Sequence, residues 1–207
     1  MIKNTAKRIY LILILILLYA PIITLIVLSF NNSKTRAKWG GFTGKWYISL
    51  FQNPDIMNAL YTTLIIALLS ALIATLIGTA ASLGIQAMKP KMRTFMMGVT
   101  NIPMLNADIV TGISLMLLFI AFRVTLGFST ILLAHITFCI PYVILSVMPK
   151  LKQTSKSTYE AAQDLGAGPV SAFFKVVFPD ILPGIVSGFL MAFTMSLDDF
   201  IITHFTK

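Results

Sequence analysis

The sequence predicts an all-α, polytopic membrane protein with five transmembrane helices and a cytoplasmic N-terminus, and three observations predict it. Hydrophobic residues make up 57% of the 207 and charged residues only 11%, where soluble domains carry about a quarter charged residues. Mean hydropathy is +0.87, so the natural solvent of this chain is the lipid bilayer. Five apolar stretches are long enough to meet the roughly 20 residues that a helix needs to cross a bilayer. The basic residues sit mostly beside the ends of those stretches, where they act as topology determinants. The formal net charge of +9 is therefore read as membrane orientation, and no nucleic-acid partner is expected.

The first stretch follows Lys3, Lys7 and Arg8 and runs without charge from Ile9 to Phe30. A cleavable signal has an apolar region of only about 7–15 residues and a small-x-small cleavage site. Neither fits, so this is an uncleaved first span. Asn31 to Asp55 is a polar outer loop with Lys34, Arg36, Lys38 and Lys45, and with Trp39, Phe42, Trp46 and Tyr47 suited to an interfacial belt. Its basic residues run against the positive-inside bias, but the tally still favours a cytoplasmic N-terminus. Ten basic residues fall inside (Lys3, Lys7, Arg8, Lys89, Lys91, Arg93, Lys150, Lys152, Lys156 and Lys175), and five fall in the outer loops, counting Arg123.

The second span lies within Ile56 to Met88, with Ala67, Ala71, Gly78 and Ser82 spaced for close helix contact. The third, Thr94 to Phe122, is broken in the middle by Asn101, Pro103, Asn106 and Asp108. Pro103 is expected to interrupt the helix and Asn106 to cap a second half. Asp108 then sits deep in the membrane, where a carboxylate costs about 2.5–3.5 kcal/mol and is by default functional. The plainer role is to satisfy the N-terminus of the second half-helix. The fourth span, Val124 to Pro149, carries His135, Cys139 and Pro141. Pro141 is expected to kink it. No Cys or carboxylate stands at ligand spacing from His135, which reads as a hydrogen-bonded packing residue and not a metal ligand.

Between the fourth and fifth spans lies Ser157 to Pro183, STYEAAQDLGAGPVSAFFKVVFPDILP. Ser157 and Glu160 have capping-box spacing, which starts a short helix at Thr158. Gly166 ends it in a left-handed cap. Gly168 and Pro169 open a second short helix, expected to stop at Phe178 before Pro179. The result is a helix–glycine turn–helix, slim at Ala161 and Ala162: a docking knob. In the fifth span Asp180 is a candidate N-cap, Pro183 falls in the first turn, and Gly184 and Gly188 form a close-packing face. Asp198 and Asp199 stand near its outer end. Helical neighbours point about 100° apart, so one is expected to face a path while the other satisfies a helix end, unless both simply mark a polar terminus.

No phosphate-binding loop is present. Gly40 to Lys45 is one residue short of that pattern, and Trp46 stands where the hydroxyl residue would be. No catalytic constellation or metal set appears either. The chain is not read as an enzyme and needs no cofactor of its own; any ATP and magnesium are used on another chain.

Glu160-Ala161-Ala162, Gly166 and then Val176-x-Phe178-Pro179 resemble the EAA loop of ABC-importer permeases, with Val176 and Phe178 as conservative departures. SFNNS (29–33), GFTGKWY (41–47), ADIVTGISL (107–115), HITFCIPY (135–142), EAAQDLGA (160–167) and SLDDF (196–200) are similar to the spermidine/putrescine importer permeases over nearly the whole chain, nearest to the second permease subunit. The resemblance implies a type I ABC-importer permease fold in a prokaryotic cell membrane. It divides the chain into residues 1–56, first span and outer loop, and 57–207, the permease domain with a cytoplasmic coupling loop at 150–180. Glu160, Ala161, Ala162, Asp164, Gly166 and Pro179 would then seat in a cytoplasmic ATPase subunit. A second homologous permease and an extracytoplasmic polyamine-binding protein are the other implied partners. Family members usually have a sixth span after the SLDD segment, and this chain is expected to lack it.

A polyamine is a flexible polycation, and Asp108, Asp198 and Asp199 are the acidic residues in or near the spans outside the coupling loop. They are the expected cargo-path residues. The rival readings are an importer of the same fold for ferric iron, thiamine or sulfate, a proton-coupled secondary transporter with buried carboxylates as its proton sites, and a non-transporting assembly subunit.

Overall fold

Long charge-free runs fix most of the architecture, because in lipid each backbone amide must be satisfied within its own helix. The computed structural model describes residues 2–33, 35 and 38–207, with the side chains of residues 2–6 and 156 outside that description; Lys34 and Arg36 of the outer loop, and the side chains of Lys3 and Lys156, therefore lie beyond it. Ten helices are described: α1 (Ile2–Ser29), α2 (Lys45–Gln52), α3 (Pro54–Ala87), α4 (Pro90–Leu105), α5 (Asp108–Ala121), α6 (Phe128–Gln153), α7 (Lys156–Asp164), α8 (Pro169–Ala172), α9 (Phe178–Asp198) and α10 (Ile201–Thr206). Among the described residues, four helical stretches are long and apolar enough to cross a membrane: Lys7–Ser29, Pro54–Ala87, Phe128–Gln153 and Pro169–Asp198. The pair α4 and α5, bent by 102°, supplies the fifth if it acts as one span.

The chain divides into two compact units, Met1–Leu60 and Tyr61–Lys207. In the first, the outer loop is organised by Asn31, which is 2% exposed. Its Nδ2 donates to the Lys38 carbonyl (2.8 Å), and its Oδ1 accepts from the Gly40 and Ser33 amides (2.7 and 3.1 Å). Trp46 Nε1 donates to the Asn31 carbonyl at 2.8 Å. Phe30 stacks on Phe42 with centroids 5.0 Å apart and tilts against Tyr47 at 5.3 Å. Phe42, Trp46 and Tyr47 thus help hold the loop's own fold.

The second unit is built around α6, much of whose length is buried. α9 packs along it through glycine. A Cβ on Gly188 would lie 3.3 Å from Val143 Cα, and one on Gly184 would lie 2.9 Å from Lys150 Cγ and 3.0 Å from the Ser146 carbonyl oxygen. From α3, Ala67, Ala71, Gly78 and Ser82 are all buried, and a Cβ on Gly78 would meet Val143 Cβ at 2.8 Å. The small-residue faces read from the sequence are therefore close-contact faces. Gly184→Leu should lower the thermal midpoint of the purified protein in detergent, since overpacking costs about 1–3 kcal/mol and a carbonyl cannot swing away as a side chain can. An unchanged midpoint would show that α6 and α9 are not held this closely.

Apart from the start of α7, three helix boundaries differ from expectation. α4 runs through Pro103 to Leu105 and breaks at Asn106–Ala107, with Ala107 and not Asn106 in the N-cap position of α5. A proline weakens the turn before it, not the one after. The fourth span starts at Phe128 and not Val124, because Arg123 takes a left-handed conformation (φ 54°) that ends the preceding helix. The third difference is at Pro179, where no stop occurs: α8 passes through a π-turn, Phe173–Val177, straight into α9. There the Phe178 amide donates back to the Phe173 carbonyl. The wider turn makes room for the ring of a residue that has no amide hydrogen to give. Asp180 accordingly lies inside a continuous helix and caps nothing.

Candidate functional site: an acidic cavity and a glycine turn

Asp198 closes α9, and the chain then leaves helical geometry at Asp199 (φ −72°, ψ 116°) before α10 begins. That corner changes what two adjacent carboxylates can do. On one helix they would diverge; with Asp199 extended, both line a single cavity of about 220 Å³ together with Asp108, Phe138, Met195 and Phe200. Asp108 comes to the same cavity because the bend between α4 and α5 leaves it as the first residue of α5. All three acidic residues singled out in the sequence are brought together, although Asp108 and Asp199 are far apart in the chain. The helix-end role weighed for them is present. Asp199 Oδ2 and Oδ1 accept from the Thr203 and Ile202 amides at 3.1 and 3.3 Å, so it also caps α10. Asp108, likewise, sits in the first turn of its helix, where a negative charge is favoured.

Behind the cavity stands His135, 2% exposed, with Asp199's side chain 5% exposed. Its Nδ1 is 2.7 Å from Ser196 Oγ and its Nε2 is 2.9 Å from Thr203 Oγ1 and 3.6 Å from Asp199 Oδ2. Ser196 Oγ lies 3.0 Å from Ser70 Oγ on α3. As expected, His135 is a hydrogen-bonded residue. Its nearness to Asp199, and the parts played by Ser196, Thr203 and Ser70, were not foreseen. Nothing in a sequence fixes the rotation of α6 against α9 at a given residue. The one available signal was a histidine on an otherwise apolar span, which must find partners.

The opposite feature is the turn after α7. Gly166 has φ +88°. Its amide donates to the Gln163 carbonyl at 2.8 Å, and the Ala167 amide donates to the Ala162 carbonyl at 3.1 Å, the pair of bonds that defines a Schellman cap. The expected start is corrected: α7 begins at Lys156 after Ser155, so Ser157 is inside the helix and forms no capping box with Glu160; its Oγ meets Ser155 Oγ at 2.6 Å. Glu160, Ala161 and Asp164 are exposed on α7, Ala162 is half-buried, and Pro179 is exposed at the second residue of α9. Tyr159 turns inward and lines a cavity of about 470 Å³ with Leu83, Gln86, Leu151, Phe173 and Val177. The knob is thus seated on the ends of α3 and α6 while Glu160, Ala161 and Asp164 face outward.

Residues 77–207 match the family described as "Binding-protein-dependent transport system inner membrane component". The chain is 39% identical over 188 residues to the spermidine/putrescine transport system permease protein PotC of Escherichia coli, covering 91% of this chain and 71% of that one. It is 38% identical over 197 residues to the putrescine transport system permease protein PotI of the same organism, covering 92% and 70%. A PotC homolog from Mycoplasma pneumoniae is 32% identical over 214 residues, covering 96% and 74%.

Proposed function

Because the chain belongs to the family of binding-protein-dependent transport system inner membrane components, we propose that it is one permease subunit of an ATP-driven polyamine importer, lining its cargo path with Asp108, Asp198 and Asp199. It is a multi-pass inner-membrane subunit and not itself an enzyme. The observation that carries the cargo reading is the convergence of three carboxylates on one cavity. A flexible polycation needs negative charge spaced along its path and no fixed cation in the way, and charges a few ångströms apart in partly dry surroundings interact strongly. An anionic cargo such as sulfate would be repelled there. The relatives named for spermidine and putrescine transport support the same reading.

The partners follow from the division of labour. An ATPase and a binding protein complete such a system. In this reading the binding protein is extracytoplasmic and takes polyamines, and a second homologous permease forms the other half of the path. Residues 57–207 form the permease domain and 1–56 the first span and outer loop. The segment 150–180 presents Glu160, Ala161, Ala162, Asp164 and the Gly166 turn to the ATPase, with Pro179 fixing the entry to α9. ATP binding and magnesium belong to that partner. In proteoliposomes holding the complete importer, polyamine-loaded binding protein should stimulate ATP hydrolysis several-fold, while thiamine, ferric iron and sulfate receptors should not. Stimulation by one of those receptors instead would overturn the cargo, and uptake that follows a proton gradient with ATP present but unhydrolysed would overturn the class.

A further inference from the structure

The Asp199 carboxylate is held from two sides. Its own corner supplies the amides of Ile202 and Thr203; the other hold comes from a different span, through His135 on α6. Both ring nitrogens of His135 are engaged, and with different elements. Nδ1 faces Ser196 of α9, Nε2 faces Thr203 of α10, and Ser196 passes the contact on to Ser70 of α3. A carboxylate 3.6 Å from Nε2 favours a hydrogen on that nitrogen. Nε2–H then donates to Thr203 Oγ1, whose own hydrogen goes to the Asp199 carbonyl at 3.3 Å. Nδ1 is left to accept from Ser196. The chain of donors is complete in that sense, and each hydroxyl in it is buried or half-buried.

This arrangement is more than packing. An apolar residue of the same volume would fill the space, and Ser196 could still turn to Ser70. What would be lost is the hold on both ends of the Asp199 residue: the Nε2–H dipole facing its carboxylate at 3.6 Å, and the link to its carbonyl by way of Thr203. The corner between α9 and α10 carries two of the three cavity carboxylates, and α9 is the helix that continues from the coupling segment.

We propose that His135 is a positioning residue of the cargo path, holding the α9–α10 corner through Nε2–H so that Asp199 stays turned into the cavity beside Asp198 and Asp108. The proposal rests on the reading that these carboxylates line the path. The ring stands at the end of α9 away from the coupling segment, at the joint where α3, α6, α9 and α10 come together.

The test uses the complete importer in proteoliposomes and reads ATP-driven spermidine uptake, with ATPase co-purification as the measure of assembly. His135→Ala should lower uptake at least about tenfold, since both ring hydrogen bonds, to the Ser196 and Thr203 hydroxyls, are lost together. His135→Gln, whose amide hydrogen reaches the place of Nε2, should recover uptake to within about threefold of the unmodified protein, whereas His135→Asn, whose amide ends near the place of Nδ1, should not. In an Asp199→Asn background, His135→Ala should cost less than about twofold more, because residues acting through one another are not additive. Equal rescue by Asn and Gln, or a full additional loss in the Asp199→Asn background, would overturn the positioning role. If Asp199→Asn alone leaves uptake unchanged while His135→Ala impairs it, the carboxylate path itself fails and the proposal falls with it, for a separately visible reason.

Discussion

Gly166→Val should leave the permease in the membrane without its ATPase, and uptake should fall to background. The residue is at φ +88°, and a Cβ built there meets no atom within 4 Å. Steric room is therefore not the issue; backbone conformation is. A left-handed residue with a Cβ costs roughly 1–2 kcal/mol, with β-branched residues worst placed and Asn best tolerated. Valine would relieve that cost by moving to negative φ, and the two cap bonds onto the Gln163 and Ala162 carbonyls would open. α7 would then swing away from α8, taking Glu160, Ala161 and Ala162 out of register with their partner. Gly166→Asn should keep most of the ATPase association and much of the uptake. Co-purification on a tagged ATPase, with membrane abundance checked separately, distinguishes the cases. Normal association of the valine variant would remove the turn from the coupling account.

The second large effect is expected at the carboxylates. Asp108→Asn, Asp198→Asn and Asp199→Asn should each lower polyamine uptake with the ATPase still bound. Two unit charges 4 Å apart at an effective dielectric of about 20 interact by about 4 kcal/mol. If water recovers half of that, the loss is on the order of 10-fold to 100-fold in rate. Asn is the informative replacement because it keeps an oxygen to accept from the Ile202 or Thr203 amide at position 199, so the corner can stay capped while the charge is gone. Combining Asp198→Asn with Asp199→Asn should cost less than the product of the single losses, since the two line one cavity. Unchanged uptake in all three single variants would refute the path.

Much of this was legible from residues alone, because the bilayer imposes strong rules. Charge-free runs had to be helices, and small residues at helical spacing had to mark close approach; Gly184 and Gly188 against α6 are the clearest case. Gly166 was legible because so few residues tolerate its conformation. What was not legible depends on register between distant segments. The two adjacent aspartates were read as diverging on one helix, and only the break after Asp198 lets them share a cavity. Pro179 was read as a stop because a proline normally is one, and the π-turn before it removes the reason. Ser157 and Glu160 had the spacing of a capping box, but α7 begins two residues earlier than that box requires. His135 could be recognised as needing partners, yet its partners lie 61 and 68 residues away, and their identity is a matter of helix rotation.

The central claim is that polyamine cargo passes the cavity formed by Asp108, Asp198 and Asp199. The most direct measurement uses a photoreactive spermidine analogue in the complete importer, held in its ATP-bound state by a hydrolysis-deficient ATPase, followed by mapping of the labelled peptides. The label should fall on the start of α5, on α6 around Phe138 and on the α9–α10 corner around Met195 and Phe200. Excess spermidine should remove it, and a monoamine should not. Labelling confined to other helices, or displaced equally by a monoamine, would contradict the account.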